Sequence, residues 1–365
     1  MTELEREIEK YKKEIHSDAY PMSIGEAVSM YQNGELEIHP EFQRVFRWSK
    51  EQKSKFIESI LLGIPIPSFF VSQRDDGVWD LVDGLQRFSS ILSFMGELKD
   101  ENGNKLDPLV LEKGDYLLAL DKVSWNDEEK FTKAMKLSFR REKIDFKIIK
   151  KESTKDTKFD LFKRINTGGS PLTDQEVRNC LLIMTNKDFY DNIYKLSKND
   201  NFINSISISD DKMLEQYHLE LIIRFIVFYK IDWKRNVSLS IDDVAKFLDA
   251  KIIEIANNVT VHNEIFDVFK RTFYIINNVM GEDAFRKFYP NLNRHKGGFS
   301  IAIFEAVSVG IAKNINFIEK NDNLKELINN FSTESDFTSS SGAGIRANSR
   351  VVKTIPFAIE YFNER

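Results

Sequence analysis

Residues 78–95 read VWDLVDGLQRFSSILSFM, and they decide the architecture of the first half of the chain. VWDLVDG has strand character. It follows a second strand-like run, SFFVSQ at 68–73, across the turn residues Arg74-Asp-Asp-Gly77, so the two predict a hairpin. The second strand passes straight into a helix whose apolar positions are Leu85, Phe88, Ile91, Leu92 and Met95. A strand that ends in Asp-Gly and turns at once into a helix exposes the orphan N–H groups of the first helical turn, which favour an anion. Gly84 permits close approach to the backbone. Arg87 adds a bidentate phosphate donor and Gln86 a neutral donor and acceptor. Asp83 would repel a bare phosphate, so its expected roles are helix N-cap, magnesium ligand or base beside a water. The same residues also suit a capped helix with a surface-paired arginine.

Outward from this junction the pattern stays mixed. Residues 2–16 predict an exposed helix of mixed charge. Ser23-Ile-Gly-Glu26 and Ser49-Lys-Glu-Gln52 are capping boxes that open helices to about Gln32 and Leu62, and Leu36–Ile38 reads as a short strand. Residues 99–106 read as a hairpin-like turn. Residues 115–120 and 143–149 read as strands around a helix near 127–138. From about 151 the chain turns helical, with long periodic runs at 213–230, 241–257 and 262–279 and a last helix at about 349–362. STESDFTSSSGAG, residues 332–344, predicts a flexible loop from composition alone. The expected fold class is α+β, with an N-terminal domain over 1–150 and a mostly helical domain over 151–365.

Composition narrows the function. With 365 residues, 42% apolar and 29 Phe, the chain has enough material for large aromatic cores. The 52 Lys+Arg against 57 Asp+Glu give a net charge of −5, which excludes an overall basic nucleic-acid glove and leaves room for a local basic groove. One cysteine, Cys180, excludes a disulfide framework within the chain, and the five histidines share no metal-ligand spacing. No apolar run reaches the roughly 20 residues of a bilayer span. The expectation is a soluble cytoplasmic protein with no membrane partner.

Two further stretches carry chemistry. FQRVFRW, residues 42–48, alternates cations with aromatic rings, a pattern that suits phosphates and stacked bases; it equally suits an aromatic anchor beneath the following helix. Arg164-Ile-Asn166-Thr-Gly-Gly runs from a helix into two glycines that could close over a ligand or simply end the helix. There is no Gly-Lys-Ser/Thr phosphate loop. Glu128-Glu-Lys130 after Asp115 matches a short nuclease pattern that is common by chance.

Taken in order, FQRVFRW, LLGIPIPSFFV, LVDGLQR and FKRINTGGSPLTDQEVRN resemble the N-terminal domain family of GmrSD-type restriction endonucleases. The resemblance implies a ParB/sulfiredoxin-like core and a nucleoside triphosphate as ligand or substrate, with Mg2+. It also implies a place in antiphage defence or restriction of modified DNA. It points to Asp83 and Gln86 as catalytic residues, with Asp83 also on magnesium. Gln43, Arg44, Gly84, Arg87 and Asn166 become nucleotide-binding residues. Leu85 stands where the family's DGQQR has its first Gln, so that amide's role has no carrier here. Residues 181–365 lack a His-Asn-His pattern, so nuclease chemistry is expected from a partner subunit. A DNA-binding module of the ParB type without turnover, or an interaction protein with a vestigial pocket, are the alternatives.

Overall fold

The structure is a computed structural model that describes residues 2–14, 17–38, 48–100, 102–150, 174–233, 240–342 and 344–364. The chain divides into two compact units, Met1–Pro171 and Leu172–Arg365. The boundary expected at 150 adjoins residues outside the described set. Mixed α+β architecture is observed, with a five-stranded sheet in the N-terminal region and many helices in the C-terminal part.

In the first unit, β1 (Ser17–Ser23), β2 (Leu36–Glu37), β3 (Phe69–Gln73), β4 (Trp79–Asp83) and β5 (Lys143–Ile149) form a sheet of order β1-β5-β3-β4-β2. β3 and β4 are the expected hairpin, antiparallel, with a register shift between Phe70 and Val71. β5 runs parallel to β3, antiparallel to β1, and β2 runs parallel to β4. Along β5, Ile144, Phe146 and Ile148 are buried while Lys143, Asp145 and Lys147 are exposed, so this strand turns one face to the core and the other to water, whereas β4 buries Asp80, Leu81 and Val82 on both faces. Phe69, Phe88 and Phe146 meet in that core, and Phe94, Phe131 and Phe139 form an aromatic cluster with Trp125.

The helix starts follow the sequence. Ser49 and Gln52 close the full capping box on Lys50–Leu61, and Ser23 caps Ile24–Gln32 through the Glu26 N–H while the Glu26 carboxylate accepts from Tyr20. β1 escaped the sequence reading because SDAYPMS contains a proline. It occupies the edge of the sheet, where a missing N–H is tolerated. The strand expected at 115–120 is a short 3-10 turn, Leu118–Leu120, and the helix expected near 127–138 covers Lys133–Arg141. The reason at 115–117 is that those N–H groups are taken by a carboxylate rather than a neighbouring strand.

The second unit is built around the Ile301–Lys313 helix, buried from Ala302 to Ala312. It packs against Ala347–Glu364 so closely that a Cβ on Gly310 would lie 2.8 Å from Phe362 and 2.9 Å from the Ala358 carbonyl. The expected loop at 332–344 contains a helix, Ser335–Ser341, anchored by buried Phe337 against Phe331 at 4.7 Å. The run 213–230 is two helices, Asp210–Leu214 and Tyr217–Lys230, separated at Gln216, which has φ +58°. A small hairpin, β6 (Lys287–Tyr289) with β7 (Arg294–Lys296), was not legible in the sequence. Among the described residues no helix is long and apolar enough to cross a membrane.

Candidate functional site

Asp83 ends β4 and Gly84 is the N-cap of the Leu85–Met95 helix. Asp83 is therefore not the N-cap that the sequence allowed. Gly84 has φ +94°, a left-handed angle that suits glycine, and no side chain among the described residues caps the helix. The opening N–H groups of a three-turn helix thus lie at the end of a strand, and the N-cap glycine offers them no side-chain acceptor. The close approach that Gly84 permits is to the protein's own core. A Cβ there would sit 2.5 Å from the ring of Phe69 and 3.2 Å from the Arg87 guanidinium.

Arg87 is fixed in place and half-buried. Its guanidinium donates to the Pro67 carbonyl, reaches the Ser68 carbonyl at 3.3 Å, pairs with Asp83 Oδ2 at 2.9 Å, and lies 4.8 Å from the centre of the Phe69 ring. Burial pulls its pKa below the usual arginine value, against the raising influence of Asp83. It remains a cation at any ordinary pH. Arg87, expected to donate to phosphate, braces the helix to loop 67–68, and its charge offsets that of the carboxylate that would otherwise repel a phosphate. Asp83 keeps 30% of its side chain exposed, with Oδ2 on Arg87. Gln86 is half-buried in the first turn, and its carbonyl accepts from Ser90 at 2.6 Å.

The sheet register brings one more feature to this end of the molecule. Phe70 stands opposite Asp83, and Phe69 stands beside Phe146. The starts of β3 and β5 therefore share the sheet end where β4 finishes. There a cavity of about 180 Å³ is lined by Ile60, Gly63, Ile64, Pro65 and Ile66 and by Glu142–Asp145. Ile66 is the immediate neighbour of the Pro67 that holds Arg87.

The structure thus brings Asp83, Gly84, Gln86 and Arg87 together. Gln43, Arg44 and Asn166 lie outside the described residues. Trp48, the last ring of FQRVFRW, packs on Phe56 at 5.5 Å, which is the anchoring role. Among the described residues no group of three or more His, Cys, Asp or Glu side chains is placed to hold a metal. Magnesium commonly binds through one or two carboxylates together with substrate phosphates, and the partly exposed carboxylate of Asp83, with Oδ2 on Arg87, offers at most one such ligand. Glu128-Glu-Lys130 lies in turns rather than a strand, with Glu128 paired to Lys136 at 3.4 Å.

Residues 24–183 match the family model of the GmrSD restriction endonuclease N-terminal domain. This segment is similar to that family. No curated protein matches the chain. The matched segment spans the β4–helix junction, Arg87 and its bracing loop, and the cavity at 60–66 and 142–145. It also takes in the start of the Asp174–Thr185 helix, whose Gln175, Arg178 and Asn179 are buried. Arg178 pairs with Asp249 at 2.7 Å and donates to Gln175. Gln175 donates to Asn179 at 2.7 Å, and Asn179 to Gln216 at 2.6 Å. Gln175, Arg178 and Asn179 of LTDQEVRN are thus committed to the interior of the second unit.

One carboxylate that sequence reasoning missed is Glu58. It is 3% exposed and accepts from the N–H groups of Asp115, Tyr116 and Leu117 at 3.0, 2.8 and 2.5 Å. A Cβ on Gly114 would fall 2.0 Å from its Oε1. Burial raises the Glu58 pKa, but the three N–H donors outweigh it and hold the carboxyl below the usual range. The available signal was a lone charge among Phe56, Ile57 and Ile60, on the face of its helix that packs inward.

Proposed function

We propose that the 24–183 segment binds a nucleoside triphosphate at the Gly84–Arg87 turn and hydrolyses it, as part of restriction of phage or modified DNA. The observation that carries this reading is the helix of residues 85–95, which opens on a glycine N-cap with no side-chain cap, beside a carboxylate already paired with Arg87. That turn offers N–H groups and a favourable dipole to an anion. In this reading Arg87 positions Asp83 and the 67–68 loop, Gln86 bonds a phosphate oxygen or the attacking water, and Asp83 orients that water. Magnesium, when bound, would be held by Asp83 and would supply charge neutralisation. Catalysis of this kind is mostly positioning and electrostatics. Gln43, Arg44 and Asn166 complete the proposed site by resemblance. DNA cutting is assigned to a partner subunit.

The test is phosphate release with each of the four nucleoside triphosphates, with and without magnesium and DNA. Turnover by wild type that falls about 10²-fold in Asp83→Asn supports the reading. Absence of turnover under every condition overturns hydrolysis. A binding module without turnover is the second reading, and the commitment of the Arg87 guanidinium to Pro67, Ser68 and Asp83 favours it.

A further inference from the structure

The β6–β7 hairpin concentrates positive charge in an acidic chain. Between Asp283 and Glu305 the sequence has Arg286, Lys287, Arg294 and Lys296 and no acidic residue, in a protein of net charge −5. Register places Lys287 directly opposite Lys296, and Tyr289 opposite Arg294. Like charges facing each other across a strand pair are destabilising in isolation. Here both ammonium groups also lie over one ring, Tyr289, at 5.5 and 5.9 Å. Lys287, Arg294 and Lys296 are exposed, and none has an ion pair among the described residues. The neighbouring Arg286 differs. Arg286 is neutralised by Asp283 at 2.8 Å, and the His295 ring sits 3.6 Å from the same carboxylate. The hairpin therefore carries three cations without an ion pair among the described residues, while the adjoining Arg286 is paired. Exposed Gly297 and Gly298, with open space around both, follow the second strand.

We infer that this hairpin is a nucleic-acid contact surface, with Lys287, Arg294 and Lys296 on backbone phosphates of duplex DNA. A two-stranded ribbon of this kind matches the width of a DNA groove, and uncompensated Lys and Arg supply the counterion-release contribution to affinity. Beside the hairpin lies a groove of about 510 Å³ lined by Phe288, Pro290, Asn293 and residues of the 322–330 segment, among them Asp322, Lys325 and Glu326. With two carboxylates against one ammonium, the groove favours phosphates less than the outer cations do. The surface lies outside residues 24–183, and the inference holds whether or not nucleotide is hydrolysed.

The experiment is fluorescence anisotropy of the full chain with a labelled duplex of about 20 base pairs, titrated from about 50 to 300 mM salt. Wild type should bind with a strong salt dependence. The triple variant Lys287→Ala/Arg294→Ala/Lys296→Ala should lose on the order of tenfold or more in affinity. Its log–log salt slope should shrink by about 0.9 for each contact removed. Lys105→Ala/Lys212→Ala/Lys251→Ala makes the same charge change at exposed, ion-paired sites and should bind as wild type does. No salt-dependent duplex binding by wild type, or equal losses in the two triple variants, would overturn the assignment. So would poly-glutamate competing for wild type as a polyanion equal to DNA. DNA-free nucleotide turnover should be the same in wild type and the hairpin variant. A failure of the nucleotide site would therefore show separately, as absent turnover alongside intact DNA binding.

Discussion

Gly84 fixes the entry to the candidate site in two ways. Its φ of +94° is costly for any L residue, and Phe69 fills the space a side chain would need. Gly84→Ala combines a strained backbone with a 2.5 Å clash against a buried ring, so it should destabilise the protein by roughly 2–4 kcal/mol. An unchanged urea midpoint would refute the packing argument. Asp83→Asn separates structure from chemistry, because Gly84 and not Asp83 caps the helix. The substitution weakens the brace to Arg87, whose guanidinium keeps the Pro67 and Ser68 carbonyls. A modest fall in melting temperature with a much larger fall in turnover is expected; proportionate losses in both would reduce Asp83 to a structural role. Glu58 gives a pH signature. Its folded-state pKa lies below the ordinary glutamate value of about 4.3, so the unfolded chain binds more protons in that window. The stabilisation is complete above about pH 4.3 and is lost as pH falls through the folded pKa. Glu58→Gln should cost about 1–3 kcal/mol near neutrality, and less at about pH 3.5. A gap between the two urea curves that does not narrow on acidification would disprove it.

At the scale of elements, the Ser335–Ser341 helix shows how composition misleads. Its residues are small and polar, yet one aromatic side chain, Phe337, reaches Phe331 and is buried. Phe337→Ala should cost about 3–4 kcal/mol and speed amide exchange across 335–341. Exchange unchanged there would mean the helix is held by something else. Elements with their own local signals were readable. The β3–β4 hairpin follows from its turn, where Gly77 has φ +89°, and Ser23 and Ser49 cap the helices they precede. β1 was not readable, because Pro21 breaks the strand pattern and its partner β5 is more than a hundred residues away. The β4–helix junction was readable as a place, since Asp83, Gly84, Gln86 and Arg87 are consecutive or nearly so. What Arg87 touches was not, because its partners Pro67 and Ser68 arrive only through the register of β3 beside β4.

Across the whole molecule each unit has its own aromatic core, and the second also encloses ionic groups that no local pattern announces. Glu305 is 1% exposed on the helix at the centre of its unit. It accepts from Arg224 at 2.7 Å and Arg350 at 2.8 Å, while Glu220 holds Arg224 from the other side at 2.6 Å. Two guanidinium groups and two carboxylates therefore balance within one buried cluster that ties three helices together, Tyr217–Lys230, Ile301–Lys313 and Ala347–Glu364. Such a cluster contributes little net stability relative to well-packed apolar residues, because desolvation offsets attraction. Removing one member is different, since it leaves an uncompensated buried charge. Glu305→Gln keeps the shape of the side chain and deletes its charge, so two arginines then face one carboxylate. The expected cost is about 3–5 kcal/mol. The effect should also be local to the second unit: amide exchange should rise in 217–230, 301–313 and 347–364 and stay at wild-type rates in β3, β4 and the 85–95 helix. A loss below about 1 kcal/mol would mean that water reaches the cluster and screens it as at a surface. Exchange that rises equally in β3 and β4 would mean the two cores unfold as one.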